Sequence, residues 1–330
     1  MRKLCTCVLG GKKYLARALS LVAVLATAGC GVFGSTGTDS PAPLERTTLR
    51  VGVGSAIDTA PLRIAVADGK FGQAGLHVEL VDVGADDALP KLSSGELDVA
   101  FASDVSMFRA AAGGASLQLQ GEAYTSGPNT MALVTLPDSD YTVPTGKKSP
   151  KIAVNMLDDV GALIAKSVLG TAGADVTKVQ LKQIAFDQMP QALQAGTVDA
   201  AWMVEPYITR AEKELGAHIL ADGDRGATLA FPMSAYASSG IFAQTNPRTL
   251  ATFRKVLGQA QADASDPAHV REALPRFSTI DPTTAALISL GSYPVALNGI
   301  RLQRVADLMH NSGALANRLD VQTLLPRQDG

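Results

Sequence analysis

The body of this chain contains no cysteine. Cys5, Cys7 and Cys30 are its only cysteines, and all three fall within the first 30 of its 330 residues. Disulfide bonds and thiol nucleophiles are therefore excluded from everything that follows. The sequence also lacks a G-x-S-x-G elbow, a P-loop and a complete glycine-rich dinucleotide fingerprint. These absences count against catalysis, and we expect that the protein is not an enzyme.

Histidine is scarce and scattered. The four histidines, His77, His218, His269 and His310, lie in no loop after the carboxyl end of a predicted strand and at no spacing typical of metal ligands. We therefore expect neither a metal site nor a cofactor.

Acidic residues are missing from residues 1–29, which carry five basic ones. The formal net charge is -2 for the whole chain, but the remaining body has 24 basic against 31 acidic residues, or -7. This mildly acidic body argues against nucleic acid as a partner.

Long apolar runs are also missing, apart from ALSLVAVLATA at residues 18–28. A run of about 11 residues is too short to span a bilayer, but after a basic stretch it is typical of a secretory signal. Residues 1–29 are thus predicted to be a lipoprotein signal peptide, because T-A-G-C at residues 27–30 resembles a bacterial lipobox. The resemblance implies lipidation of Cys30; the alternative is an ordinary signal peptide with a chance cysteine. Residues 30–48, rich in Gly, Ser, Thr and Pro, are predicted to form a flexible tether.

A repeated pattern dominates the body. LSSGELDVA at residues 92–100 and LQAGTVDAA at residues 193–201 both fit L-x-x-G-x-[VL]-D-x-A. Each closes a predicted β-α-β-α-β order, and the first strand of each copy, near Val51 or Ile152, precedes the pattern by the same interval. We predict an α/β fold with two similar open sheets, each flanked by helices. Coincidence within generic α/β sequences is the alternative.

The connecting segments predict how the two lobes are joined. Strand-like segments at 116–125 and 130–136 follow the first copy, and an alternating segment at 234–244 leads into a helical C-terminal third. That third must bury its apolar stripes, and the first lobe is the expected host. Two crossings, near 130–138 and 232–242, would form a hinge beside a cleft. The predicted division assigns residues 49–136 and 237–330 to lobe 1 and residues 137–236 to lobe 2.

Ligand contacts are expected in the loops after the carboxyl ends of the strands. These loops hold six acids and no lysine, arginine or histidine, which favours a ligand with N–H donors over an anion. An N-cap role is the alternative for each short polar residue, and core packing is the expected role of Trp202. Glu205, at the end of an apolar strand, is the leading candidate. The candidate ligand-binding residues are Ser55, Ala56, Asp58, Thr59, Ser103, Asp104, Asn129, Asn155, Asp158, Glu205 and Tyr207.

Four segments of the chain are typical of one protein family. They are APLRIAVADGKFGQAGLHVEL, ALPKLSSGELDVAFAS, AFDQMPQALQAGTVDAAWMVEPY and YPVALNGIRLQRVADLMHNSGAL. Through them the chain resembles the solute-binding proteins of ABC importers for nitrate, sulfonates, taurine and thiamine-precursor pyrimidines. Coverage extends over residues 49–325. The resemblance implies a two-lobed periplasmic-binding-protein fold of type II, with two hinge crossings and closure around one small solute. It also implies that residues 55–59, 103–104, 155–158 and Glu205 face the cleft.

By this resemblance we expect a monomeric extracytoplasmic lipoprotein that delivers a solute to an ABC permease and is held at the cell membrane through Cys30. A sulfonate of the taurine type and a pyrimidine of the thiamine-precursor type are the candidate solutes, whereas the acidic loops count against nitrate. One alternative is a solute-sensing lipoprotein that serves a membrane receptor. Another is a pyrimidine-precursor enzyme on the same fold, whose cysteine-rich stretch this body lacks.

Overall fold

A computed structural model describes residues 42–327. The predicted signal peptide, Cys30 and most of the predicted tether lie outside these residues. The described part contains ten strands and twelve α-helices, besides five short 3-10 helices. The strands are β1 (Thr48–Val53), β2 (His77–Asp82), β3 (Val99–Ser103), β4 (Leu117–Thr125), β5 (Met131–Thr135), β6 (Lys151–Val154), β7 (Gln180–Gln183), β8 (Ala200–Val204), β9 (His218–Asp222) and β10 (Pro232–Ser239). The helices are α1 (Ala60–Ala67), α2 (Lys70–Gln73), α3 (Ala88–Ser94), α4 (Asp104–Ala112), α5 (Val160–Thr171), α6 (Met189–Gln194), α7 (Tyr207–Leu215), α8 (Gly240–Thr245), α9 (Pro247–Asp263), α10 (Pro267–Ala273), α11 (Pro282–Leu287) and α12 (Gly299–Asn311).

The strands form two five-stranded sheets with the same plan. The first has the order β2-β1-β3-β10-β4 and the second the order β7-β6-β8-β5-β9. In each sheet three consecutive strands of the chain run parallel, and the fourth position holds an antiparallel strand. We call each sheet with its helices a lobe. The predicted α/β fold with two similar open sheets is thus confirmed.

The glycine and leucine of the repeated pattern have the same role in both lobes. Leu92 and Leu193 are buried in the core. Gly95 and Gly196 follow α3 and α6 with φ angles of 77° and 63°. Because this left-handed conformation is strained for a residue with a Cβ atom, glycine ends each helix at the same step of the pattern.

The aspartate of the pattern joins two strands of the first sheet. Asp98 directly precedes β3, and its Oδ2 accepts the backbone N–H of Arg50 in β1 at 2.8 Å. Its carboxylate also accepts from the guanidinium groups of Arg50 and Arg46. The N–H of Asp98 in turn donates to the carbonyl of Arg50 at 2.9 Å. The buried carboxylate therefore satisfies a backbone donor and ties β1 to β3.

Asp199 repeats this arrangement in the second sheet. Its Oδ2 accepts the N–H of Lys151 in β6 at 2.7 Å, and its Oδ1 accepts from Lys147 Nζ at 2.6 Å. Its own N–H donates to the carbonyl of Lys151 at 2.7 Å. Burial acts to raise the pKa of Asp199, but the hydrogen bonds from Lys147 and Lys151 hold that pKa below its ordinary value.

Two crossings join the lobes, at residues 126–130 and 223–231. They are hydrogen-bonded to each other, because Ser126 Oγ donates to Asp224 Oδ1 at 2.6 Å and the N–H of Phe231 donates to Ser126 Oγ at 2.8 Å.

The positions of the crossings differ from the sequence-based expectation by one strand each. β5 lies in the second sheet between β8 and β9, although the predicted boundary at residue 136 leaves it in lobe 1. β10 lies in the first sheet between β3 and β4, although the predicted boundary at residue 236 divides it. The reason is that the chain forms a strand of the other sheet directly after each crossing. That strand then pairs with a neighbouring strand on each side.

The helical C-terminal third packs on the first lobe, as predicted. α9 contacts α1 and β4, and α12 contacts α4 and β10. Asp266 and Asp281 begin α10 and α11 by accepting backbone N–H groups of the first turn, with proline as the next residue. The last of these helices, α12, ends at Asn311. None of the helices in the described part of the chain combines the length and apolar character needed to cross a membrane.

Replacing Asp199 by asparagine should lower the free energy of unfolding by about 1.5–3 kcal/mol, because charge-assisted hydrogen bonds are lost. Since the pKa of Asp199 is depressed in the folded state, the wild type should lose this advantage as the pH falls below about 3.9. Urea unfolding at pH 7 and at pH 3 measures both effects. Asp307→Asn, which breaks an exposed ion pair with Arg318, is the control and should cost less than about 1 kcal/mol. Equal losses in the two variants would contradict the role assigned to Asp199.

Candidate ligand-binding cleft

The carboxyl ends of the parallel strands in both sheets border one cavity of about 460 Å³. Open parallel sheets bind their ligands at this edge. The first lobe contributes residues after β1 and β2, the end of β3 and parts of β4 and β10, and the second lobe contributes residues after β6, β7 and β8. The polar side chains that line the cavity are Ser55, Asp58, Ser103, Ser106, Tyr124, Thr130, Asn155, Asp159, Trp202, Glu205, Tyr207, Arg210, Ser234, Ser278 and Thr279.

Asp58 is the cavity carboxylate of the first lobe. Ser55 Oγ donates to its Oδ1 at 2.8 Å, and Ser234 Oγ donates to its Oδ2 at 2.7 Å. Burial raises the pKa of Asp58, although both hydroxyl groups act to lower it. Each oxygen retains acceptor capacity, so Asp58 suits a ligand that brings N–H or O–H donors.

Asp159 is the first carboxylate of the second lobe. It stands at the N-cap position of α5, and its Oδ1 accepts a hydrogen bond from Ser103 Oγ of the first lobe. Ser103 also begins α4 by accepting the N–H of Ser106 at 2.9 Å. Burial raises the pKa of Asp159, and the hydrogen bond from Ser103 opposes that rise. Much of the bonding capacity of Asp159 thus serves a contact between lobes.

Glu205 is the second carboxylate of that lobe, and the protein occupies both of its oxygens. Oε1 accepts from Thr209 Oγ1 at 2.8 Å and from the N–H of Ser289 at 2.9 Å, and Oε2 accepts the N–H of Thr209 at 3.1 Å. Burial raises the pKa of Glu205 despite these bonds. The carboxylate therefore caps the first turn of α7 and joins the second lobe to the segment before the β-bridge at Ser292.

Aromatic side chains form one part of the second-lobe wall. Phe186 and Tyr207 stack with their ring centroids 4.9 Å apart and an interplanar angle of 17°. The ring centroids of Phe186 and Trp202 are 5.8 Å apart. Trp202 is buried, yet its Nε1 has no hydrogen-bond partner in the protein. Trp202 therefore packs in the core, as expected, and also borders the cavity.

Arg210 is a cavity residue that the sequence reasoning missed. It lies on α7, three residues after Tyr207, and its Nη2 donates to the carbonyl of Thr279 at 3.4 Å. The helical spacing from Tyr207 could have indicated it, since residues i and i+3 share a helix face. Ser234 and Tyr124 were also missed, because β10 and β4 reach the cleft only through the sheet order.

Seven of the eleven candidate residues line the cavity. They are Ser55, Ala56, Asp58, Ser103, Asn155, Glu205 and Tyr207. A contact between these residues and a ligand stays a prediction.

The other four candidates lie outside the cavity lining. The buried Thr59 donates to the carbonyl of Ser55 at 2.7 Å. Asp104 is fully buried at the start of α4, without a protein hydrogen-bond partner, and burial raises its pKa well above the ordinary value. Asn129 lies in a crossing, and Asp158 pairs with Arg109 at 2.8 Å. The expected ligand contact of these four is therefore not supported by the geometry.

A second cavity of about 650 Å³ lies between α4, α5 and the end of α12. Asp159 borders both cavities. Within residues 42–327, no group of three or more His, Cys, Asp or Glu side chains could hold a metal ion.

Replacing Glu205 by glutamine should lower the free energy of unfolding by about 1.5–3 kcal/mol, because the new amide group places an N–H against a backbone or hydroxyl donor. The sequence pattern predicts instead that Glu205 contacts a ligand, in which case the same change would weaken binding with little loss of stability. Chemical denaturation gives the measurement, and Glu212→Gln on the exposed face of α7 is the matched control. An unchanged unfolding midpoint in Glu205→Gln would restore the earlier interpretation.

The fold is shared with solved binding proteins. The periplasmic aliphatic sulphonate-binding protein SsuA of Escherichia coli superposes with a TM-score of 0.70 at 19% identity, over 86% of this chain and 94% of that one. The alkanesulfonate-binding protein SsuA of Xanthomonas axonopodis pv. citri, bound to MOPS, gives 0.72 at 20% identity, over 87% and 100%. The ligand-binding component of an ABC-type import system from Staphylococcus aureus, with zinc bound, gives 0.72 at 13% identity, over 85% and 97%.

These likenesses show the periplasmic-binding-protein fold predicted from the sequence. A comparison with curated protein sequences finds no match. The model of the NMT1-like family matches residues 42–277, which is most of the chain. The protein therefore belongs to the NMT1-like family.

Proposed function

We propose that this protein is the extracytoplasmic solute-binding component of an ABC importer. The observation that carries the proposal is a cavity of about 460 Å³ whose walls come from two lobes joined by two crossings. Such a site can enclose a small solute by moving one lobe toward the other. The names of the similar structures, two sulfonate-binding proteins and one component of an ABC-type import system, support the same role.

The lining chemistry favours a small organic solute that carries N–H donors and a planar ring. Asp58, Asp159 and Glu205 place three carboxylates around the cavity, against the single guanidinium group of Arg210. Phe186 and Tyr207 offer an aromatic surface beside them. A pyrimidine of the thiamine-precursor type meets these requirements, because its amino group can donate to a carboxylate while its ring stacks.

Arg210 favours a second candidate. An aminosulfonate of the taurine type could pair its sulfonate with the guanidinium group and its ammonium with Asp58. A simple anion such as nitrate would meet more negative than positive charge in this cavity, which argues against it.

Capture then follows from a shift in population. The solute contacts both lobes only when they are closed, and it therefore stabilises the closed form by the difference in contact energy between the two forms. A permease that recognises the closed form would receive loaded protein.

The N-terminal segment supplies the proposed membrane attachment. It consists of a signal peptide at residues 1–29, a lipidated Cys30 and a tether that continues to residue 48, most of which lies outside the described residues. One acyl chain binds a membrane only marginally, so stable anchoring would need a second chain or another contact. We propose that the protein acts there as a monomer.

Two other functions remain as alternatives. A solute-sensing lipoprotein would use the same cleft to signal to a membrane receptor, and a permease and an ATPase encoded beside this protein would argue for import instead. A pyrimidine-precursor enzyme on this fold would need reactive groups, and the sequence after Cys30 has no cysteine to supply a thiol. We therefore propose binding rather than catalysis.

Thermal unfolding in the presence of a solute panel tests the proposal. The panel contains aminopyrimidines, taurine, alkanesulfonates, nitrate and a control without solute. A solute at one hundred times its dissociation constant should stabilise the folded protein by about 2.7 kcal/mol. Stabilisation by an aminopyrimidine or by taurine is the expected result. A response to nitrate alone would contradict the interpretation of the acidic lining, and no response to any solute would count against the proposed function.

Two substitutions test the candidate solutes, and one of them distinguishes between the two. Asp58→Asn should weaken either solute by about tenfold or more, because it removes a charged acceptor worth roughly 1.5–3 kcal/mol. Arg210→Gln should weaken taurine by a similar factor and leave an uncharged aminopyrimidine nearly unaffected. Isothermal titration calorimetry measures both, and Lys182→Gln, on the exposed strand β7, is the control. Equal losses for both solutes in Arg210→Gln would show that this residue does not discriminate between them.

A further inference from the structure

Two consecutive acids of the second lobe contact one helix of the first lobe. Asp158 Oδ2 lies 2.8 Å from Arg109 Nη1, and Asp159 Oδ1 accepts the hydrogen bond from Ser103 Oγ. Ser103 is the N-cap of α4 and Arg109 lies in its last turn. The dipeptide before α5 is therefore attached to both ends of α4.

We propose that these four residues form a clasp, here called the α4–α5 clasp, which sets the balance between the closed and open arrangements of the lobes. The proposal rests on the proposed function, in which closure captures a solute. Within that function Ser103, Arg109, Asp158 and Asp159 are positioning residues. They influence affinity through the closed state as well as through any contact with the solute.

The two halves of the clasp have different surroundings. The outer half is accessible, since the side chains of Arg109 and Asp158 are 32% and 68% exposed. The inner half is enclosed, because Asp159 is buried and borders both the ligand cavity and the second cavity. The bond from Ser103 to Asp159 therefore lies in the wall between the two cavities, and separation of the lobes would break it.

The clasp contains the closer of two ion pairs that join the lobes in the described part of the chain. The second lies near α7 and α11, where Lys213 Nζ contacts Thr284 Oγ1 at 2.7 Å and Asp281 Oδ1 only at 4.0 Å. Arg109 and Asp158 are in direct contact instead. Because the pair of Arg109 and Asp158 joins the two lobes directly, its loss should favour the open form.

The outer pair permits a test that leaves the ligand site untouched, because neither Arg109 nor Asp158 lines the cavity. An exposed ion pair contributes little, so the closed population should fall by a factor of about 2 to 5. If the closed form alone holds the solute tightly, the apparent dissociation constant should rise by the same factor.

The experiment measures the separation of the lobes without solute. Two dyes are attached to the full chain through Gln73→Cys in the first lobe and Gln191→Cys in the second, after replacement of the three native cysteines by serine. Both sites are exposed. Energy transfer between the dyes is then compared in the parent protein and in variants of the outer pair.

Arg109→Gln and Asp158→Asn should each shift the distribution of dye distances toward the longer distances of the open form. The charge-swapped double variant, Arg109→Asp with Asp158→Arg, should restore the parent distribution. Arg318→Gln, which breaks an exposed ion pair within the C-terminal third, should leave it unchanged. Melting curves check that every variant is folded.

Unchanged distances in both single variants would overturn the clasp, and so would a double variant that opens as far as the single ones. Because the measurement needs no solute, its result is separate from the test of the proposed function. Distances that shift in a protein that binds nothing would support the clasp and count against solute capture. A solute that binds without any change in distance would count against capture by closure.

Discussion

An aspartate that accepts a backbone N–H of the neighbouring parallel strand is the contact on which each lobe depends. Asp98 and Asp199 make this contact at 2.8 and 2.7 Å, and each reaches back over 48 residues to do so. The contact fixes where the third strand lies against the first. The carboxyl ends of those strands, which carry the polar loops, are thereby held at one edge. The cleft exists because two such edges, each held by an aspartate contact of this kind, face each other.

The protein itself uses much of the polarity at those edges. Glu205 caps α7 and contacts Ser289, and Asp159 contacts Ser103 of the opposite lobe. The strand ends predict that these side chains contact a ligand. In the structure some of their acceptor capacity is used instead to begin helices and to join the lobes. Asp58 and Arg210 retain the most freedom to meet a solute. Affinity and closure consequently share some of the same residues.

The sequence predicted the architecture well and the site in part, for physical reasons. Periodicity and the repeated glycine and aspartate report on local structure, so the two sheets, the β-α-β-α-β order along the chain and the C-terminal helices could be predicted. The placement of β5 and β10 depends on pairing with distant strands, which no local pattern encodes. For the same reason Ser234 was not foreseen as a cavity residue. The occupation of Glu205 depends on Ser289, which follows it by 84 residues, and was equally hidden.

The sheet order also has a consequence for how the chain reaches its native state. The second sheet consists of strands from the continuous segment 131–222, so all of its pairings are closed within that segment. The first sheet is interrupted after β4 and gains its fourth-position strand only when β10 returns from residue 232. Closing that longer loop is entropically costlier, and non-local pairing is slow. We therefore expect the first lobe to fold later than the second. Until then, the edge of β3 that pairs with β10 should stay exposed.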